Sequence, residues 1–293
     1  MIKPLTAINM KLLKIILTLF YLSISIPAFA QNSNSFGEKQ EKDFEFRAVA
    51  ELGFLSVLSH KVQFGENGTY FDYKKDGGQN VLFPVGRLSL ELDIKERNTF
   101  ILLYQPLAIR TQVLLTDEII VDDLTFPANT AVDLLYNFPF YRISYLRELL
   151  PDKPRFALGV GGSVQLRNAT ITFESTDGER FRTNRDVGVV PALKVRSSYD
   201  LSELLYLELE ADGIYAPISY LNGSDNEVKG AILDASIRSG LKVTNDVNAF
   251  LNLRYLGGGA VGTAEDEPGP GDGYVKNWLH FMTVTAGLSY RFN

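Results

Sequence analysis

The chain has 293 residues, no cysteine, two histidines, and 29 basic against 35 acidic side chains. The missing cysteines exclude a disulfide framework and a lipid-modified N-terminal cysteine. A net charge of −6 with no basic stripe argues against nucleic acid as a partner.

Residues 1–30 read as a secretory leader. Lys3, Lys11 and Lys14 supply the positive region, Ile15 to Ile26 the apolar core, and Ala28-Phe29-Ala30 a small-x-small cleavage site, so Gln31 is the expected first mature residue. Removing the three leader lysines leaves 26 basic against 35 acidic residues, a balance of −9. No later segment has the roughly twenty unbroken apolar residues of a spanning helix. A membrane role therefore requires a closed barrel, the other structure that satisfies every backbone polar group in hydrocarbon.

Residues 31–43 are polar and aperiodic and are expected to form a flexible periplasmic segment. From Phe44 the pattern alternates with a period of two. Phe44, Phe46, Ala48, Ala50, Leu52 and Phe54 oppose Glu45, Arg47 and Glu51. Phe64 to Tyr73 extends this strand as a hairpin, with turn signals at Asn67-Gly68 and Asp76-Gly77-Gly78. Leu88, Leu90, Leu92 and Ile94 oppose Arg87, Ser89, Glu91, Asp93 and Lys95; a tight turn then leads into a strand from Thr99 to Val113 that is apolar on both faces, so its facing is open.

Thr116 to Thr130 is a long connection. Val132, Leu134, Tyr136 and Phe138 keep one phase, and Tyr141, Ile143 and Tyr145 the other; the slip falls at Pro139, and because proline in a strand favours an edge or a bulge and a barrel has no edge, a bulge is expected there. Phe156 to Arg167 follows a short link and carries inward glycines that leave room for bulky neighbours. Beyond the long charged stretch Asn168 to Asp186, three strands follow, joined by a tight turn at Asp200 to Glu203 and a polar loop from Pro217 to Lys229. Thr244-Asn245-Asp246 turns into Val247 to Tyr255, and Gly257 to Lys276 reads as a long loop. In the last strand, Trp278, His280, Met282, Val284, Ala286, Leu288, Tyr290 and Phe292 share one face.

The connections alternate long and short, and the strands number about ten, with eight or twelve as alternatives; this is the plan of an all-β, single closed antiparallel up-and-down transmembrane barrel spanning 44–293. Tyr199, Tyr215, Tyr255, Trp278, Tyr290 and Phe292 are the expected aromatic girdles. If lipid meets the apolar face, the lumen holds Glu45, Arg47, Glu51, Arg87, Glu91, Asp93, Arg155, Arg167, Lys194, Arg196, Glu208, Glu210, Asp212, Asp234, Arg238 and Arg254. Charges removed from bulk water need partners, so the plain expectation is an ion-pair network that plugs the lumen, and the sharper one a narrow charged pore centred on Glu208, Glu210 and Asp212.

Catalytic signals are thin. His280 on the lipid-facing phase is the candidate base for an enzyme of outer-leaflet lipid, with Asp266 and Glu267 within loop reach; Asp122-Asp123 with His60 is a second acid-and-histidine set. No cofactor is expected, and the acidic run Ala264 to Gly273 lacks the ligand spacing of a Ca²⁺ loop, so no metal is assigned.

The terminal strand, ending in Tyr290-Arg291-Phe292-Asn293, resembles the closing strand of bacterial outer-membrane barrels. Leu103-Tyr104-Gln105-Pro106-Leu107, Thr125-Phe126-Pro127-Ala128, Tyr141-Arg142-Ile143-Ser144-Tyr145, Val190-Pro191-Ala192-Leu193, Ala211-Asp212-Gly213 and Trp278-Leu279-His280-Phe281 resemble stretches of a Gram-negative outer-membrane protein family that brings no known activity. The resemblance implies a single barrel in the outer membrane with both termini periplasmic. Outer-membrane lipid and the barrel-assembly machinery, met through the C-terminal strand, are the implied partners. A non-enzymatic barrel whose loops bind a surface ligand, or whose lumen passes small solutes, is the leading expectation. The lipid-modifying enzyme, and an adhesin acting through Gly65 to Asn80 and Gly257 to Lys276, are the alternatives.

Overall fold

The computed structural model describes residues 44–95, 97–217, 228–263 and 271–292. The leader 1–30, the segment 31–43, Glu96, residues 218–227 of the polar loop and residues 264–270 of the acidic run, with Asp266 and Glu267, lie outside the described residues.

Period-two alternation becomes fifteen strands: β1 (Phe44–Phe64), β2 (Phe71–Asp72), β3 (Leu82–Ile94), β4 (Asn98–Gln105), β5 (Ala108–Leu114), β6 (Ile119–Val121), β7 (Leu124–Phe126), β8 (Ala131–Asn137), β9 (Phe140–Glu148), β10 (Phe156–Ser175), β11 (Phe181–Asp200), β12 (Leu205–Pro217), β13 (Lys229–Lys242), β14 (Val247–Thr263) and β15 (Tyr274–Phe292). Ten of them close an antiparallel ring in the order β1, β3, β4, β9, β10, β11, β12, β13, β14, β15 and back to β1. Closure leaves the barrel without the exposed edges of an open sheet. No described helix is long and apolar enough to cross a membrane, which says nothing of a strand-built wall.

The wall is inside-out relative to a soluble barrel. Leu88, Leu233 and Leu251 on its outer face are 54, 47 and 64% exposed, whereas Glu91, Glu208, Asp234 and Arg254 on the inner face are 4, 8, 3 and 3% exposed. A water-soluble carrier would show the reverse. Tyr199, Tyr290 and Phe292 stand exposed near the end that carries the short turns, and Tyr215 near the end that carries the long connections; Trp278, half-buried, stands nearer that second end, and Tyr255, half-buried, stands at the middle of β14 rather than at either end.

β10 and β11 run for 20 residues each, about 65 Å along each strand, where about 9–11 tilted residues cross a bilayer. The wall therefore continues well beyond an apolar belt, and past the belt its inner face changes character. Val132, Leu134, Tyr136 and Phe138 point inward into a buried apolar cluster with Phe64, Tyr73, Phe126, Phe173 and Phe281. This corrects the bulge expected at Pro139. Phe140, Arg142, Ser144 and Leu146 continue the same inward phase, so the apolar side moves from inner to outer face while the facing stays constant. Pro139 does interrupt the strand. It stands near Pro106: the β4–β9 ladder ends at Gln105↔Phe140 and the β5–β8 ladder begins at Ala108↔Asn137, because neither proline has an N–H to donate. The bulge lies in β1 instead, between Val57 and Ser59.

The long connections are more ordered than their composition implied. Thr116 to Thr130 contains the β6–β7 hairpin, whose Ile119, Val121 and Phe126 enter the apolar cluster. Asn168 to Asp186 belongs mostly to a β10–β11 hairpin paired as far as Glu174↔Phe181. Gly257 to Thr263 continues β14 in strand pairing with β13 and β15, so the expected last loop is shorter at that end. The hairpin expected from Phe64 to Tyr73 is present as β2, paired to β1 at Lys61↔Asp72 and Val62↔Phe71. The strand of open facing turns Ile101, Leu103, Gln105, Leu107 and Ile109 inward.

Candidate functional site

Alternation places the inner charges in rows, and strand pairing aligns the rows into one network. Glu208, Glu210 and Asp212 follow one another along the inside of β12. Like charges two residues apart on one strand face are about 7 Å apart, so they need cations between them. Lys194 from β11 supplies one, at 2.9 Å from Glu210 and 2.8 Å from Asp212. Arg196, two residues on, reaches Glu210 at 2.7 Å and Glu91 of β3 at 2.9 Å. Arg47 donates to the same Glu91 oxygen, Oε2, at 2.6 Å.

Glu51 is the acceptor at the middle of the wall. It receives Arg87 at 3.4 Å, Arg238 at 3.0 Å, the Asn252 amide at 2.8 Å and the Thr285 hydroxyl at 2.8 Å. Arg87 also reaches Glu210 at 3.2 Å, and Arg238 reaches Glu208 at 2.6 Å. One layer further, Arg142 bridges Asp212 at 2.9 Å and Asp234 at 2.8 Å, and Arg254 closes on Asp234 and on Gln105. Ser163 adds a hydroxyl donor to Asp212 at 2.7 Å. The guanidinium fork explains why arginine dominates: it binds two carboxylates from one side chain in fixed geometry.

Sequence reasoning had not singled out Arg142, Gln105, Gln165, Ser163, Asn252 or Thr285. Arg142, which donates to Gln165 Oε1 at 2.7 Å, was legible from its phase, between Tyr141 and Ile143; Ser163, Gln165, Asn252 and Thr285 stood on the polar phase of their strands, but only the fold brings them to a charge. Glu45 and Asp93 sit at the rim of the network, Glu45 with Arg291 at 2.8 Å and Asp93 with Arg47 at 3.7 Å and the Thr99 hydroxyl. Arg167 faces inward with its guanidinium over the Phe138 ring, 5.2 Å from the centroid. Arg155, expected in the lumen, is exposed in the turn before β10, because that strand begins one residue later.

Above the ionic layers the lumen is filled by rings. The bulge at Leu58 shifts β1 by one residue, so His60 points inward and is fully buried. Its ring stacks on Tyr73 at 4.5 Å and meets Tyr136 edge-on at 4.3 Å, and Gln79 Oε1 accepts from Nδ1 at 2.8 Å. Asp123, in the β6–β7 turn, pairs instead with Arg182, so the proposed set of His60 with Asp122-Asp123 does not assemble. The connection 65–80 carries Tyr73 and Gln79 into this plug and is thus partly an inner lid of the barrel.

No family model and no curated protein matches the chain. Among solved structures it is similar to the outer membrane protease OmpT of Escherichia coli (14% identity, 90% of this chain, 100% of that chain, TM-score 0.44). It is also similar to a Pseudomonas aeruginosa FadL homologue (7% identity, 85% and 90%, TM-score 0.36) and to Ail, the attachment invasion locus protein of Yersinia pestis (10% identity, 85% and 99%, TM-score 0.32).

His280 lies on the outer face near the long-connection end, where the Tyr255 hydroxyl shares a 2.6 Å hydrogen bond with its Nδ1. Gly257, paired with His280 across the strands, makes this possible: a Cβ there would stand 2.3 Å from the Tyr255 hydroxyl. No group of three or more histidine and acidic side chains suited to a metal occurs among the described residues.

Proposed function

We propose that the chain is an outer-membrane β-barrel without enzymatic activity, closed along its lumen and presenting its long-connection end to the cell exterior. The observation that carries this reading is the exchange of faces: exposed leucines and aromatics outside, carboxylates and guanidinium groups paired inside. Lipid supplies an apolar surrounding for the outer face, and paired charge fills an interior of the width that ten strands enclose. Export through the leader 1–30, periplasmic placement of both termini, and delivery by the barrel-assembly machinery through β15 belong to the same reading. Its binding partners meet the surface around β6–β7 and the β10–β11 hairpin, which stand beyond the belt.

The chain has no native cysteine, so single reporters are clean. Glu179→Cys, in the β10–β11 turn, is expected to react with an impermeant maleimide on whole cells. Ser202→Cys, in the short β11–β12 turn, is expected to react only after the outer membrane is permeabilised. Recovery of the protein in the soluble fraction, or the opposite labelling pattern, defeats the proposal.

The Tyr255–His280 pair favours a second reading, an enzyme that modifies outer-leaflet lipid with His280 as base. A change in lipid A mass that depends on His280 and vanishes in His280→Ala would establish it; an unchanged mass would remove it.

A further inference from the structure

We propose that the outer face of the β2–β1–β15 seam, at Lys61, Lys74, Lys276 and Tyr70, is a docking site for the phosphate-bearing headgroup of a membrane lipid. The inference rests on the membrane reading above and adds a ligand to it. Strand register builds the site. Asp72, Lys61 and Trp278 are direct neighbours on one row across β2, β1 and β15, and Gln63 with Lys276 forms the next row out. Two ammonium groups lie over the exposed Tyr70 ring, Lys276 at 4.3 Å and Lys61 at 5.8 Å from its centroid. The third comes from the bulge. Leu58 has no partner in either ladder of β1, and its carbonyl accepts from the Lys74 ammonium at 3.2 Å.

The site thus carries three ammonium groups, and among the described residues the carboxylate paired with one of them is Asp72, 3.4 Å from Lys61. Such a cluster runs against the chain's net charge of −6. Its height is also specific. Leu58, in the bulge just below Lys61, is exposed and apolar, and Trp278, directly beside Lys61, is an aromatic of the kind that stands at a membrane interface, so the lysines stand where the apolar belt ends and headgroups begin. Long lysine stems suit that depth, because they lie along apolar surface while the charge reaches water. The choice of lysine separates this site from the lumen. Inside, arginine forks fix carboxylates in place; at the rim, flexible point charges suit a phosphate that arrives from several angles. The Tyr70 ring holds two of them near each other, since its face attracts cations.

The test uses the full barrel refolded into phosphatidylcholine vesicles, then transferred to neutral detergent with either bis-phosphorylated lipid A or its dephosphorylated form, and read by native mass spectrometry. The wild type is expected to retain the phosphorylated lipid in preference. Lys61→Gln, Lys74→Gln and Lys276→Gln are each expected to weaken retention roughly five-fold, with Lys276→Arg retaining most of it. Asp72→Asn keeps its turn-forming oxygen and is expected to strengthen retention. Equal retention of the two lipids, lysine variants that insert normally and bind as the wild type does, or displacement of the lipid by equimolar inorganic phosphate overturns the inference. A barrel that inserts into phosphatidylcholine but shows no preference defeats this site alone; one that stays in water defeats the membrane reading.

Discussion

Arg196 grips Glu91 through two guanidinium nitrogens, at 2.9 and 3.1 Å, although β11 and β3 stand four places apart around the ten-strand wall. A bond of that span ties opposite sides of the lumen together, and the same pattern recurs where Arg87 of β3 meets Glu210 of β12. The network is therefore a transverse brace as well as a filling. Its members are shared, each arginine serving two acceptors, so the loss of one carboxylate leaves buried cations short of a partner.

Asp234 is the sharpest place to see this. It is buried between Arg142 and Arg254. Asp234→Ala is expected to destabilise the refolded barrel by about 3–5 kcal/mol, the usual result of removing one partner of a buried pair. Replacing Asp234 and Arg254 together by leucine is expected to cost less than the sum of the two single changes. Urea unfolding in vesicles, followed by the shift between folded and unfolded bands on a gel, measures all three. Additive losses would mean that the pair carries no coupling.

Gly240 tests how the inner rings are seated. It pairs with Tyr206 across β12 and β13, and a Cβ on it would meet the Tyr206 ring at 2.0–2.4 Å. Gly240→Ala is expected to cost about 1–3 kcal/mol, as overpacking does. Tyr206→Ala in the same molecule is expected to recover most of that loss, because every close contact is with that ring. A penalty that persists in the double variant would place the strain in the backbone.

Two-sided alternation shows that the two faces of a strand differ, and for Leu88, Leu233 and Leu251 the sign was readable too, from the girdles and the alternation of long and short links. The sign fails for Val132, Leu134, Tyr136 and Phe138 because it depends on depth. Inside the belt the outer face is apolar and exposed; beyond it the inner face is an ordinary apolar core. The same boundary hid His60. Its phase matched the outward-facing apolar residues of β1, and the extra residue at Leu58 turned it inward, a one-residue slip that a period of two cannot reveal. The charged residues of the lumen were legible one strand at a time, but who pairs with whom across the barrel, as in Arg142 with Asp212 and Asp234, is a property of closure.

The β6–β7 hairpin carries a pH signature. Asp122, at the β6–β7 turn with φ of 55°, is held close to Gly65 and Gly271. Burial pushes its carboxyl up from 3.8 to about 6, helped by Asp123 and Asp272 and opposed by Arg182. The folded state thus favours the protonated acid, so this group's contribution to stability is greatest at low pH and is lost as pH rises from 3.8 through about 6. Asparagine tolerates the same left-handed backbone and cannot ionise. Asp122→Asn is expected to match the wild type near pH 4 and to be the more stable of the two near pH 7, as a difference between unfolding curves. Parallel curves over that range would refute the assignment.

Two barriers stand in series along the lumen, the ion-pair layers from Glu91 to Asp234 and the ring plug of His60, Tyr73, Tyr136 and Phe281. Resistances in series are set by the larger, so relieving one barrier alone leaves the path closed. In planar bilayers the wild type is expected to carry no steady ion current, and Glu210→Ala none either, since the rings above it still exclude water. Replacing residues 70–80 by a short Gly-Ser link withdraws Tyr73 and Gln79 from the plug and is expected to leave the barrel silent while the ionic layers hold. Only the combination of that deletion with Glu210→Ala and Lys194→Ala is expected to conduct. A wild-type current that Glu210→Ala alters by itself would mean that ions already pass the rings, and the lumen would then be a charge-lined pore with the β12 carboxylates as its filter.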